Sequence, residues 1–186
     1  MADYHSPTVV TPSIPVADMT SLEHLLLQLV FDESMDEDGS YFHSWCGTSD
    51  VLNVDAAELR AAWEASRGRE SGINVYVGKL LGEFDATAEE ERSVEIDLDL
   101  TGPDEDWGRI FQDIVRRSET LEEIVVTAAF TCSKMRSDGF GGSVMRITRN
   151  SIQYASTVEM LEDMRDARVV EDGPSSFDIT TPPVAE

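Results

Sequence analysis

The sequence predicts an α+β fold, a mainly antiparallel sheet with packed helices and disordered, Pro-rich termini. Three observations predict it. Val94, Ile96, Leu98 and Leu100 alternate with Glu95, Asp97 and Asp99, which is strand periodicity. Residues 122–132 (EEIVVTAAFTC) are β-branched and almost continuously apolar, as in a central strand. Separate stretches carry apolar residues at helical spacing behind capping residues. The 186 residues suit one compact unit. We expect an extended arm over 1–18, one domain over 19–170 (helical over 19–70, sheet-containing over 71–170) and an acidic tail over 171–186.

The arm follows from Pro7, Pro12 and Pro15 among Ser, Thr and Val. Thr20 or Ser21 then caps a helix whose apolar face is Leu22, Leu25, Leu26, Leu29 and Val30. A polar turn, FDESMDEDGS, ends at Gly39, and Tyr41, Phe42, Trp45 and Cys46 form a strand or a packed loop. Asn53 or Asp55 opens a second helix that buries Leu59, Ala62 and Trp63 and stops at Gly68 and Gly72. Ile73, Val75 and Val77 alternate with Asn74 and Tyr76, which predicts a strand, with a second short one through Leu80, Leu81 and Phe84. Residues 85–92 read as an exposed loop or one helical turn.

After the strand at 93–100, Gly102-Pro103 breaks the chain and Pro103 starts a helix. Asp104, Glu105 and Asp106 sit at its positive end and Arg116 and Arg117 at its negative end. Its buried face is Trp107, Ile110, Phe111, Ile114 and Val115. A Gly-rich basic turn over 133–142, a strand over 144–148, a tight turn at Arg149-Asn150 and a strand over 152–154 follow. Thr157 caps a last helix with Val158, Leu161 and Met164 on one face. The tail, EDGPSSFDITTPPVAE, has the composition of a disordered segment.

Charge is the dominant compositional fact: 37 acids against 14 bases, net −23. It excludes direct binding to nucleic acid or to an anionic membrane. It is also uneven. Residues 1–59 hold eleven acids and no Lys or Arg, and residues 83–106 hold eleven acids and only Arg92. Residues 60–82 and 107–149 are each mildly basic. A chain acidic merely for hydration in high salt is acidic throughout, so the blocks favour a directed surface. No apolar run is long enough to span a membrane, the first residues lack a secretory pattern, and two cysteines make no disulfide framework. These point to the cytoplasm of a host cell.

The sharpest candidate site is Glu95, Asp97 and Asp99 with the following Asp104, Glu105 and Asp106. Alternate strand residues lie about 6.6–6.8 Å apart. That matches the roughly 6–7 Å step between phosphates along one nucleic-acid strand, so the row imitates a phosphate backbone. Asp36, Glu37 and Asp38 form a second patch. They do not fit a calcium loop, because the D-x-D-x-D-G register is missing. His43 and Cys46 supply too few ligands for zinc, and Gly139, Gly141 and Gly142 with Lys134 and Arg136 lack the phosphate-loop pattern. No nucleophile elbow, H-E-x-x-H or paired-carboxylate signature is present, so no enzymatic reaction, cofactor or metal is expected.

TGPDEDWGRIFQDIVRRS and AAFTCSKMRSDGFGGSVMRIT, within residues 93–168, resemble uncharacterised accessory proteins of bacterial plasmids and phages. The resemblance carries no catalytic residues and implies a mobile-element setting. In charge and size the chain is similar to acidic nucleic-acid mimics that block host defences. The expected function is inhibition of a host nucleic-acid-binding defence complex, a CRISPR effector or restriction enzyme, through a nucleic-acid-mimicking surface. The expected partner is a basic nucleic-acid-binding protein or ribonucleoprotein, with a homodimer left open. The alternative is a structural or accessory phage or plasmid protein that oligomerises through its termini, its acidity serving solubility.

Overall fold

A computed structural model describes residues 3–102, 105–136 and 138–167. Pro103 and Asp104, and with them the reading of Pro103 as a helix start, lie outside the described residues, as does the tail.

The segment expected as a free arm is part of the sheet. Strands β1 (Tyr4–His5) and β2 (Thr8–Thr11) both run antiparallel to a long strand, β7 (Glu123–Cys132), pairing Tyr4 with Cys132 and Val10 with Val126. Prolines argued for a loose arm, but Pro7 keeps its carbonyl in the ladder, accepting from the Ala129 N–H at 2.9 Å. Val10 and Ile14 are buried.

Helix α1 (Ser21–Val30) starts with a complete capping box. The Thr20 hydroxyl accepts from the Glu23 N–H, and the Glu23 carboxylate accepts from the Thr20 N–H. Its buried side is Leu22, Leu26, Leu27 and Val30. Leu29, expected inside, is exposed. The polar stretch expected as a turn is mostly strand: β3 (Asp32–Met35) pairs with β4 (Ser40–Ser44) around Gly39. Gly39 has φ +143°, and an added Cβ would lie 2.2 Å from the Ile14 carbonyl oxygen. Gly39→Ala is expected to cost about 2 kcal/mol or more. Chemical denaturation reads this, and an unchanged midpoint contradicts it.

Strand β5 (Val51–Asp55) precedes α2 (Ala56–Ser66), whose N-cap is Asp55. Residues 73–84 are not strands. They form α3 (Gly72–Ala86), with Ile73, Val77 and Leu81 buried at helical spacing while Val75 is 76% exposed. The five residues 73–77 satisfy a two-residue period by chance; the longer window to Leu81 selects the helix. Gly72, expected to end a helix, begins one, and its N–H donates to the Asp113 carboxylate at 2.7 Å. That cap comes from a distant element.

Strand β6 (Glu95–Asp99) pairs antiparallel with β5 in a separate two-stranded sheet. Val94, expected on its buried face, is exposed at the strand's end. Helix α4 (Trp107–Arg117) is capped by Asp106 and buries Ile110, Phe111, Ile114 and Val115. Strands β7, β8 (Phe140–Thr148) and β9 (Ile152–Ser156) form a meander. The large sheet runs β3-β4-β2-β7-β8-β9, with β1 beside β7. Helix α5 (Thr157–Ala167) closes the described chain. Its cap is one residue earlier than expected, because Ser156 and Glu159 bond reciprocally. Val158, Leu161 and Met164, the apolar face expected of this helix, are exposed.

Helices α1 and α4 cover one face of the large sheet. Phe31, Phe42, Trp107 and Phe111 pack edge-on or tilted, with ring centroids 5.4–6.3 Å apart. Leu52, Val54, Ile96 and Leu98 of the small sheet belong to the same core as Leu59, Val77 and Leu81.

One carboxylate ties α1 to the sheet. Glu33 of β3 receives Nε2 of His24 at 2.6 Å. Burial pushes the Glu33 pKa up, but hydrogen bonds from Gln28, Ser40 and His24 outweigh it and hold the carboxyl below its ordinary 4.5. A folded pKa below the unfolded one contributes stability above about 4.5, lost as pH falls through the folded value. The melting gap between the native chain and Glu33→Gln is therefore expected to be widest near neutral pH and to close under acid. A gap that widens under acid would reverse this assignment.

Candidate functional site

The small sheet builds the site. In β5 and β6 every second side chain is buried, so the outward face carries Val51, Asn53 and Asp55 on one strand and Glu95, Asp97 and Asp99 on the other. Register sets Asp55 opposite Glu95, Asn53 opposite Asp97 and Val51 opposite Asp99. Two carboxylates directly opposite one another repel. Asp55 is held there by α2, whose first turn donates the Ala57 and Glu58 N–H groups to it, each at 3.0 Å. Asn53 Nδ2 donates to Asp97 at 2.7 Å, fixing the middle carboxylate. Thr101 donates to Asp99 from its hydroxyl at 2.6 Å and from its N–H at 2.9 Å. Those bonds hold the Asp99 carboxyl below the usual carboxylate range, so it remains an anion.

Among the described residues, no Lys or Arg forms an ion pair with Glu95, Asp97 or Asp99. Arg92, the single base of the block, is turned away. Its guanidinium donates to the carbonyls of Thr87 and Asp85 at the end of α3 and lies over the Phe84 ring. The base nearest in sequence thus serves a helix terminus and leaves the row unneutralised. Glu89–Glu91 form an exposed 3₁₀ turn just before the strand.

Beyond the far end of β6, a cleft of about 410 Å³ opens between the two sheets. It is lined by Asp50, Leu100, Asp106, Trp107, Arg109 and Ile152. The Trp107 indole N–H donates to Asp50 at 3.0 Å, and the Leu100 N–H donates to the Asp50 carbonyl at 2.8 Å. Asp106 accepts the Arg109 N–H as the cap of α4. Of the expected site residues, Glu95, Asp97 and Asp99 therefore share one face, and Glu105 and Asp106 follow at the start of α4. Asp104 lies outside the described residues.

Asp36, Glu37 and Asp38 are carried by the β3–β4 turn of the large sheet. Asp36 is committed locally, accepting the Ser13 hydroxyl and the N–H groups of Asp38 and Gly39. Those bonds lower its pKa, the Ser13 hydroxyl most. Asp55 on the face and Asp50 in the cleft are not among the site residues expected from the sequence, where Asp55 is read only as a helix start. The alternation VLNVD is the signal that puts Asp55 on a strand face, and the same residue is also the N-cap of α2.

Among the described residues, no group of three or more His, Cys, Asp or Glu side chains has metal-site geometry. Cys46 is exposed, Cys132 is buried, and His43 faces Ser34 at 3.2 Å. No described helix is long and apolar enough to cross a membrane. No family model, no curated protein and no solved structure matches the chain.

Proposed function

We propose that this chain inhibits a host nucleic-acid-binding defence complex, a CRISPR effector or restriction enzyme, by seating the acidic face of its small sheet in a basic groove. The observation that carries the reading is the row Glu95, Asp97 and Asp99: set on alternate strand positions, exposed, with Asp97 and Asp99 held by neutral donors and, among the described residues, no Lys or Arg paired with any of the three. A solubility role does not call for like charges set opposite each other at Asp55 and Glu95. Acids at the phosphate step offer a groove of Lys and Arg what a polynucleotide offers it. The resemblance of residues 93–168 to plasmid and phage accessory proteins supplies the setting. The Asp36–Asp38 patch, on the other sheet, is secondary here.

The test is a cleavage assay with host RNA-guided effectors and restriction endonucleases, titrated with the chain at several DNA concentrations. Inhibition competitive with DNA and weakening steeply with salt is expected. Inhibition unaffected by DNA concentration, or none across the panel, refutes the reading. A second reading, a phage or plasmid assembly protein, draws on the exposed apolar side of α5. It loses its N-terminal tether, since residues 4–11 lie in the sheet.

A further inference from the structure

The large sheet is longer than its helical cover. Helix α4 packs over the half bearing Ile124, Val126 and Ile147. The other half, with Ala128, Phe130 and Tyr154, lines a groove of about 760 Å³ whose opposite wall is Val158 and Leu161 of α5. The sheet's path ends there: β9 pairs with β8 and with no other described strand.

Edges of natural sheets are normally guarded by charge, proline or a bulge. The opposite edge, β3, carries Asp32 and Glu33. Strand β9 reads Ile-Gln-Tyr-Ala-Ser, with no charge and no proline, and Gln153, Tyr154 and Ala155 are exposed. Around the groove Phe130 is 38% exposed, Tyr154 of β9 itself 56%, Val158 64% and Leu161 47%, and Met164 further along α5 is 57% exposed. On full residue areas of roughly 200 Å² these five side chains leave about 500 Å² open to water. That is at the upper end for a monomer's largest apolar patch, about 300–600 Å². With the strand edge added it approaches the ~800 Å² per partner of a stable interface.

We propose that a second copy of this chain occupies this surface. Strand β9 adds antiparallel to its own copy about a two-fold axis near Tyr154, joining two large sheets, while the α5 helices pack side by side over the grooves. Two features select a second copy over a basic partner. An antiparallel pair of identical strands is self-complementary about its centre, as a two-fold interface requires. The strand is also neutral in a chain of net charge −23, so two copies pair along it with no carboxylate on the strand itself, and the groove beside it sets the acids Asp138 and Glu162 with the base Arg165. This inference does not rest on the acidic face, which belongs to the other sheet.

The test is the mass of the full chain in solution, by light scattering over about 1–100 μM, a range that brackets moderate affinities. Twice 20.6 kDa is expected for the native sequence. Ala155→Lys and Leu161→Glu should each weaken association at least tenfold while leaving the far-UV spectrum unchanged. In a Cys46→Ser background, Tyr154→Cys should cross-link as a disulfide dimer under mild oxidation. This arm holds even if the charged variants fold poorly. A native mass of 20.6 kDa throughout the range overturns the proposal, whatever fills the groove. So does a dimer that neither charged substitution disturbs, or an oxidised Tyr154→Cys chain that stays monomeric.

Discussion

Arg117→Met is expected to cost about 3–5 kcal/mol of folding stability, the cost of stranding a buried charge. Its partner, Glu23, is wholly buried. The Glu23 carboxylate accepts from the Thr20 N–H at 2.8 Å, from the Ser71 hydroxyl at 2.8 Å and from the Arg117 guanidinium. It therefore joins the start of α1, the start of α3 and the end of α4. Arg117 also donates to the carbonyls of Glu70 and Asp18, so its planar fork joins two backbone carbonyls to the Glu23 carboxylate, which Met cannot do. Met approximates the stem's volume, and the loss then measures the stranded carboxylate rather than a cavity. Combining Arg117→Met with Glu23→Leu should recover a large part of the loss, since an apolar pair no longer buries a lone charge. Urea unfolding followed by tryptophan fluorescence reads both. A single-variant cost below about 1 kcal/mol would mean that water reaches Glu23, in conflict with its burial.

Asp97→Lys with Asp99→Lys is expected to weaken partner binding at least a hundredfold, about 2.7 kcal/mol, while the fold persists. Both side chains are exposed on the small sheet, where substitutions normally move stability by only about 0.5 kcal/mol. The local losses are the Asn53 bond to Asp97 and the Thr101 bonds to Asp99. At a basic groove, by contrast, two attractions become two repulsions, and close charge pairs across interfaces couple by about 1.5–7 kcal/mol. The slope of affinity against salt should flatten as well, because fewer charges are neutralised on binding. The paired control is Asp36→Lys with Glu37→Lys, which makes the same change in net charge on the large sheet. If the control weakens binding as much, overall charge and not the stepped row is what the partner senses. The inhibition assay measures both pairs.

Local signals were sufficient where one short window held the whole pattern. The alternation from Ile96 to Asp99 placed β6, the apolar run ending at Cys132 placed β7, and acids before Trp107 with bases after Val115 placed α4. The acidic row was legible for the same reason: a strand's two-residue period puts Glu95, Asp97 and Asp99 on one side without help from elsewhere. Other elements draw on groups distant in the chain. Helix α3 takes its cap from Asp113, and β2 is held by β7 more than a hundred residues away despite the prolines on either side of it. Proline content describes a segment's own freedom and not the partner that removes it.

The α+β class and the spacing of the carboxylates could be read along the chain, because both are set by periodicity within a single element. Which charges share a surface depended on how the elements assemble. Their assembly put Asp55 beside Glu95 across a strand pair, and it turned Arg92 away to the end of α3. It also sent the Asp36–Asp38 patch to the other sheet and left the apolar side of α5 beside an unguarded edge. The physical reason is common to all four: neighbourhood across elements is fixed by pairing register and core packing, which bring together residues whose separation in the chain carries no trace of their contact.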